Sequence, residues 1–172
     1  MPEVTDNPVV ANCDNCGAPM RADLGGRPLL VCNHCGSQQD LPAALERLEM
    51  LSEASSPCPT CSTPLSNSRL EGHPLLCCPR CFGMLIDMNR FATVIDAVRA
   101  HEGRSFRTAL PRRQNPGERL LNCPACAQPM VGHLYAGPGN VVIDTCEPCL
   151  VNWLDPGELR RIAVAPDWPR SV

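Results

Sequence analysis

Three short apolar runs recur along the chain, and each leads into a pair of cysteines. They occupy residues 28–31 (PLLV), 74–77 (PLLC) and 141–144 (VVID). Short apolar runs that follow Gly-containing turns predict β-strands. Upstream of each run, another cysteine pair is followed by a small or polar residue and a proline (CGAPM, CSTPL and CAQPM), which turns the chain into a preceding strand. The pattern therefore predicts three β-hairpins.

A short helix is predicted after each hairpin, because the apolar positions then follow a helical period. Each helix would begin near an aspartate, at Asp40, Asp87 or Asp155. Asp155 can cap a helix N-terminus, Pro156 suits the first helical position, and Glu158 completes a capping-box pattern. Each amphipathic helix has an apolar side that needs a covering surface.

Twelve of the 13 cysteines form six C-x-x-C pairs. In chain order the pairs group into three sets of two, with 15, 16 and 19 residues between the pairs of a set. This spacing is typical of a tetrahedral four-thiolate zinc site. We therefore predict three Zn²⁺ ions per chain. The predicted ligands are Cys13, Cys16, Cys32, Cys35, Cys58, Cys61, Cys78, Cys81, Cys123, Cys126, Cys146 and Cys149.

Cys77 is the thirteenth cysteine and adjoins a predicted ligand. The stretches GRPLLVCNHC and GHPLLCCPRC align without a gap, so that Cys78 lies over Cys32 and Cys77 over Val31. Neighbouring residues of a strand also point to opposite faces. Cys78 is the predicted ligand, and Cys77 is interpreted as a small apolar residue, with a redox-sensitive thiol as the alternative.

The composition favours small units that need a metal to fold. Aromatic residues make up only 3% of the chain, whereas Pro and Gly number 19 and 12. Units of about 40 to 50 residues bury too little apolar surface to fold unaided. We predict a small metal-stabilised α+β fold of three tandem zinc ribbons. Their ranges are 1–55, 56–101 and 123–172, and an Arg-rich linker spans 102–122.

The third set extends beyond its cysteines into a longer motif. Residues 123–160 resemble the transcription factor IIB-type zinc ribbons of bacterial proteins, whose pattern is CPxC followed by CxxCxGxWLDxGEL. Trp153, Leu154, Asp155 and the run 157–159 fall on that pattern, while Val151 replaces a glycine. The second set keeps Gly83 and Asp87 but has Leu85 at the tryptophan position. The resemblance implies structural zinc and contacts with macromolecules.

Catalysis is not expected from these sites, because four thiolates fill a tetrahedral zinc and leave no position for water. Iron is the alternative metal, since rubredoxin also uses paired CxxCG turns. Such electron-transfer modules usually pack several aromatic rings over the metal, and this chain has few. The four histidines are interpreted as solvated polar residues. The protein is not expected to be an enzyme.

Charge bears on the class of partner. The chain has a net charge of −3, and three four-thiolate zinc sites would take it to about −9. A surface that binds phosphates needs the opposite sign. The exception is the linker, where Arg104, Arg107, Arg112, Arg113 and Arg119 could contact nucleic acid or an acidic partner.

We therefore predict a zinc-binding adaptor for protein partners, and a nucleic-acid-binding, transcription-associated protein as the alternative. Trp153 and Trp168 are candidate anchors for a partner, although Trp153 is expected to be covered by its own ribbon. The chain begins without a secretory signal pattern and has no apolar run that could span a membrane. A cytoplasmic location without membrane contacts is expected, where thiols stay reduced and bind metals.

Overall fold

The computed structural model describes residues 9–13, 16–23, 29–40, 47–102, 120–135 and 141–165. These residues form a small α+β structure. Its strands are β1 (Val9–Asn12), β2 (Pro19–Asp23), β3 (Leu29–Cys32), β4 (Gln38–Asp40), β5 (Leu48–Pro57), β6 (Pro64–Leu70), β7 (His73–Cys77), β8 (Met84–Asp87), β9 (Val131–Leu134), β10 (Val142–Cys146) and β11 (Val151–Leu154). Its helices are α1 (Met88–Glu102) and α2 (Glu158–Val164).

The strands form two antiparallel sheets. One sheet has four strands in the order β1-β2-β3-β4, and the other has seven in the order β5-β6-β7-β8-β11-β10-β9. We call β1–β4 the first unit, β5–β8 with α1 the second unit, and β9–β11 with α2 the third unit. Each unit contains one set of four cysteines, and the hairpins β2–β3, β6–β7 and β9–β10 correspond to the three predicted hairpins.

The second and third units join through equivalent strands. β8 and β11 each follow the second cysteine pair of their unit, and they pair antiparallel with Leu85 opposite Trp153. These two residues occupy the same position of the repeat, and the strand order β6-β7-β8 is mirrored by β9-β10-β11 across this pair. The two units are therefore related by an approximate two-fold axis, as in an isologous dimer.

Two apolar clusters lie on the seven-stranded sheet. One cluster brings together both helices and strand residues of both units, including Ile86, Val94, Ile143 and Ile162. The other surrounds Trp153 and contains cysteines of the second and third sets. Both clusters draw residues from both units, so neither unit has a core of its own.

Arg99 adds a polar link between the helices. Its guanidinium donates hydrogen bonds from α1 to the carbonyl oxygens of Ile162 and Ala163 in α2, at 3.2 and 3.1 Å. The last carbonyls of a helix have no partner within the helix, and a cation there also complements the helix dipole. Arg99 thus caps α2 from the neighbouring unit.

The helix predicted after Asp40 is wrong from Leu48 to its end at Ala54, because Leu48–Pro57 form β5. This strand pairs antiparallel with β6 along the edge of the larger sheet. Its serines and Pro57 are poor helix formers, and pairing with β6 supplies the backbone hydrogen bonds. The predicted boundary between residues 55 and 56 falls inside this strand, and residues 41–46 lie outside the described part.

The starts of the two helices differ from each other. The Asp87 carboxylate accepts a hydrogen bond of 2.8 Å from the backbone N–H of Asn89, as expected for a helix cap. Asp155 does not cap α2, which begins only at Glu158 after a left-handed Gly157. Half of the predicted capping box is present, because the Asp155 N–H donates to Glu158 Oε2 at 2.9 Å.

Neither of the two helices in the described part of the chain, α1 and α2, is long and apolar enough to cross a membrane.

Candidate metal centres

All twelve predicted ligands are brought together in three groups of four thiols. In each group the four Sγ atoms lie within 4.8 Å of one another. One cysteine pair of each group lies at the start of the hairpin, and the other follows its second strand. The hairpin therefore folds the two pairs against each other, which is why pairs 15 to 19 residues apart in sequence can meet.

Five of the six turns that contain the cysteine pairs share one hydrogen-bond pattern. In the turn at Cys58, the Cys58 N–H donates to the Thr63 carbonyl at 2.8 Å, and the Ser62 N–H donates back to the Cys58 carbonyl at 2.9 Å. The turns that begin at Cys13, Cys32, Cys78 and Cys123 have the same two bonds. These bonds fix the backbone so that both thiols of a pair point to one side.

The residue after the second cysteine is left-handed in all six turns. The φ values lie between 53° and 72° at Gly17, Gly36, Ser62, Phe82, Ala127 and Leu150. Glycine adopts this conformation freely, whereas a side chain makes it costly by about 1–2 kcal/mol. Four of the six turns thus hold a strained residue, and all four belong to the second and third units.

The sulfur spacing fits a shared tetrahedral metal. Four thiolates about 2.3 Å from a zinc ion lie about 3.8 Å apart, whereas a disulfide is about 2.05 Å long. The Sγ–Sγ distances are 3.5 Å for Cys16 and Cys32, 3.4 Å for Cys61 and Cys78, and 3.6 Å for Cys126 and Cys146. All thirteen cysteines are free thiols. Each group could hold a metal ion.

Cys77 and Cys78 are adjacent in sequence but have opposite environments. Cys78 belongs to the second group, and hydrogen bonds from Cys58 and Cys81 lower the pKa of its thiol. Cys77 is fully buried in the cluster with the helices, and burial raises the pKa of its thiol to about 12. Cys78 therefore lies among the candidate metal ligands, whereas Cys77 lies outside the group and its raised pKa keeps its thiol protonated.

Trp153 joins the second and third groups. Its ring is fully buried beside cysteines of both, and a Cβ placed on Gly83 would lie 2.3 Å from its Cζ2 atom. Its indole N–H donates to Asp155 Oδ1 at 3.0 Å, and Thr60 of the second unit donates to the same oxygen at 3.4 Å. The second unit therefore helps to cover Trp153, and the expectation that its own unit covers it was incomplete.

The first group is more exposed than the other two. Cys16 and Cys35 are exposed, whereas Cys61, Cys126 and Cys149 are partly buried. The four described core residues of the first unit are Cys13, Met20, Leu30 and Cys32, with Ala18 and Phe82 packed against them. Phe82 also packs against the core beneath the helices, and so connects the first unit to the rest.

Glu158 is a notable residue that the sequence interpretation assigned only to capping. It is 3% exposed, and burial together with the nearby charge of Asp155 raises its pKa to about 8. A carboxyl group in this position is costly to ionise. The glutamate of the capping-box pattern was visible in the sequence, but its burial was not.

Several predicted contacts fall outside the described residues. They comprise Trp168 and the linker arginines Arg104, Arg107, Arg112, Arg113 and Arg119. Of the histidines, His34, His101 and His133 are exposed and His73 is partly buried, and none belongs to a group of thiols.

Scans against protein-family models, curated proteins and solved structures found no match for this chain. The resemblance to transcription factor IIB-type ribbons therefore remains a prediction that rests on residues 123–160. The geometry of the three groups of thiols does not depend on that resemblance, and it suggests a zinc-binding protein.

Proposed function

We propose that this protein is a cytoplasmic zinc-binding adaptor in which three four-cysteine zinc ribbons hold a surface for protein partners. The supporting observation is that each group offers four thiols at metal-binding distance, with a buried cysteine at the start of every turn. Four thiolates complete the tetrahedral coordination of Zn²⁺, as in structural sites. The metal would stabilise the fold, and we propose no catalytic activity.

The cores support a structural role for the metal. The cluster around Trp153 contains Cys58, Cys78, Cys123 and Cys146, so the metal groups are part of the packing. In small units of this kind, the free energy of metal binding is largely the free energy of folding. Zinc would therefore set the geometry of the surrounding strands and helices, which present the surface to a partner.

An adaptor is favoured over a nucleic-acid binder by charge. Filled zinc sites would make a chain of net charge −3 more acidic, whereas phosphate binding needs a basic surface. Binding of nucleic acid through the linker remains the alternative.

Native mass spectrometry of the purified chain tests the metal part of this proposal. We expect three Zn²⁺ ions per chain and loss of folded structure with a strong chelator. A disulfide reductant alone should leave the fold intact, because the thiols are free. Two or four zinc ions, or iron in the sites, would contradict the proposal.

Affinity capture from cell extract, with and without nuclease, tests the adaptor part. We expect the same protein partners in both samples and their loss from the Cys146→Ser variant. The matched control replaces the five linker arginines with glutamine, which leaves every predicted ligand in place and should keep the partners. Loss of all partners after nuclease treatment would favour the nucleic-acid alternative.

A further inference from the structure

The second and third metal groups contribute to one buried cluster. The cluster around Trp153 contains Cys58 and Cys78 from the second group, and Cys123 and Cys146 from the third. All four of these cysteines are buried. The packing around each metal group therefore depends on ligands of the other.

Trp153 brings the third unit against one turn of the second group. The Cys78 N–H donates to the Gly83 carbonyl at 2.9 Å, which closes the turn that holds Cys78 and Cys81. Gly83 lies so close to the Trp153 ring that an added Cβ would be 2.3 Å from Cζ2. A side chain of the third unit thus packs directly on a metal-binding turn of the second.

The other turn of the second group also contacts the third unit. The hydroxyl of Thr60, which lies between the two cysteines of this turn, donates to Asp155 Oδ1 at 3.4 Å. The same oxygen accepts the Trp153 indole N–H at 3.0 Å. Both turns of the second group are therefore linked to the segment that carries Trp153.

The third group in turn holds Trp153 in place. Its second cysteine pair joins β10 to β11, and Trp153 in β11 pairs with Asp144 in β10. In small units of this kind, the free energy of metal binding is largely the free energy of folding. Loss of the third metal would therefore release the ring that packs on the second group.

The first group does not share this arrangement. Its strands form a separate four-stranded sheet. Among the described residues, its core contains no cysteine of the other two groups. Metal binding by the first group is therefore expected to depend little on the other two.

We propose that the second and third groups bind Zn²⁺ as a cooperative pair, coupled through Trp153, so that the joined units fold in a steep response to free zinc. This inference rests on the proposed zinc-binding function and adds the regulation of two of its sites. Coupling between two sites typically changes affinity by about 5- to 150-fold.

Such coupling would make the protein respond to zinc as a switch. A fully cooperative pair goes from one-tenth to nine-tenths filled over about a ninefold range of free zinc, against about 81-fold for an independent site. Both helices pack on a core that draws residues from both units. The surface offered to a partner by these helices and strands would therefore form within that narrow range.

Pulse alkylation of the full wild-type chain tests the pair over a series of buffered free Zn²⁺ concentrations. Iodoacetamide modifies thiols that hold no metal, and peptide mass spectrometry assigns the modification to each group. We expect the second and third groups to become protected along one curve with a Hill coefficient of about 1.5–2, and the first along its own curve with a value of about 1. Separate curves for the second and third groups, each with a Hill coefficient of about 1, would overturn the proposal.

Native mass spectrometry of the Cys32→Ser variant counts the zinc ions of the pair, because the first group then lacks a ligand. At half saturation, two independent sites give a one-zinc species that makes up about half of the chains or more, whereas tenfold coupling lowers it to about one quarter. We expect about one quarter or less. A one-zinc species at about half or more would contradict cooperative binding.

Trp153→Leu tests the coupling residue. It gives the third unit the residue that the second unit has at the same position, Leu85, and leaves every ligand in place. In the Cys32→Ser chain, this change should raise the one-zinc species to about half or more. Weaker binding of both zinc ions with the Hill coefficient unchanged would show that Trp153 only stabilises the fold, and its coupling role would be wrong. Leu150→Ala is the matched control, since this half-exposed side chain also follows a ligand of the third group, and it should leave the curves unchanged.

Ligand variants test whether the effect is mutual, because coupling between two sites is reciprocal. Cys58→Ser should weaken zinc binding by the third group at least about tenfold, and Cys123→Ser should weaken binding by the second group by a similar factor. Cys32→Ser should change neither group by more than about threefold. Unchanged affinity of the remaining group in Cys58→Ser and Cys123→Ser would overturn the inference.

These measurements separate this inference from the proposed function. If three zinc ions bind independently, the zinc-binding adaptor stands and the cooperative pair is wrong. If the chain binds no zinc, or binds iron in its place, the proposed function is wrong and the inference fails with it.

Discussion

The first unit and the joined second and third units use the same cysteine turns but reach different levels of packing. The first has its own four-stranded sheet and a small core of four described buried residues. The other two share a seven-stranded sheet and two larger clusters. Four thiols and their turns thus suffice to organise a unit, whereas joining two units requires further apolar surface.

The last strand of each unit explains this difference. β8 and β11 have the sequences MLID and VNWL, and they pair with each other around Leu85 and Trp153. The equivalent strand of the first unit, β4, has the polar sequence QQD. A polar strand gains little by burying a face against a neighbour. Among the described strands, β4 pairs with β3 alone.

The largest expected effect is the loss of bound metal from cysteine variants, and it should differ between the first unit and the joined units. Cys78→Ser should remove the metal of the second group and, because the two units share the core around Trp153, also that of the third group. Cys32→Ser should affect the first group alone. Metal binding by four thiolates contributes about 10 kcal/mol or more, so loss of a ligand unfolds its unit. Native mass spectrometry should show two metals in Cys32→Ser and one in Cys78→Ser.

Cys77→Ser is the matched control for that experiment. Its thiol is buried but lies outside the group, so the variant should retain three metals and lose at most about 1–2 kcal/mol of unfolding free energy. Two retained metals in Cys78→Ser would show that the second and third units fold independently.

The second prediction concerns the contact that joins the units. Gly83→Ala would place a Cβ 2.3 Å from Cζ2 of Trp153, whose ring is fully buried. We expect a loss of about 2–4 kcal/mol in the unfolding free energy of the second and third units, as for severe overpacking. Hydrogen exchange should show the loss in β8 and β11 and leave β2 and β3 unchanged.

Gly36→Ala provides a contrast within the first unit. Gly36 has nothing within 4 Å of a Cβ, but its φ is +72°. This variant should cost about 1–2 kcal/mol through backbone strain, and only in the first unit. If Gly83→Ala is no more costly than Gly36→Ala, the close contact with Trp153 does not hold the units together.

The sequence predicted the sites better than it predicted how the units pack. Cysteine spacing and the gapless repeat grouped the twelve thiols and favoured Cys78, because these features depend on local turns. β5 and the pairing of β8 with β11 depend on contacts between distant segments, which local propensity does not encode. The contrast between QQD and the two apolar strands was a visible signal for that pairing.

The third prediction uses pH to adjust the stability of the joined units. Because the pKa of Glu158 is raised to about 8, its favourable contribution is full below its unfolded pKa of about 4.5 and is lost as pH rises through about 8. Glu158→Gln keeps an oxygen to accept the Asp155 N–H. It should raise the unfolding free energy by roughly 1–3 kcal/mol at pH 9 relative to wild type.

Denaturant unfolding of metal-loaded wild type and variant at pH 6 and pH 9 measures this effect. Both chains contain the same thiols, so thiol ionisation cancels in the difference between them. A variant that is equally destabilised at both pH values would show that Glu158 contributes through packing and not through its charge.

The smallest expected effect tests how the two regions tolerate backbone strain. In both cysteine turns of the first unit the left-handed residue is a glycine, whereas the second and third units place Ser62, Phe82, Ala127 and Leu150 there. A unit with a large shared core can offset the strain of a side chain, and a unit with a small core has less free energy to do so.

Ala127→Gly should therefore stabilise the third unit by up to about 1 kcal/mol, because relief of strain exceeds the added entropy of the unfolded chain. Gly17→Ala, the same exchange reversed at the equivalent turn, should destabilise the first unit and speed metal loss to a chelator. If Ala127→Gly is destabilising, strain at these turns does not distinguish the two regions, and core size alone accounts for their difference.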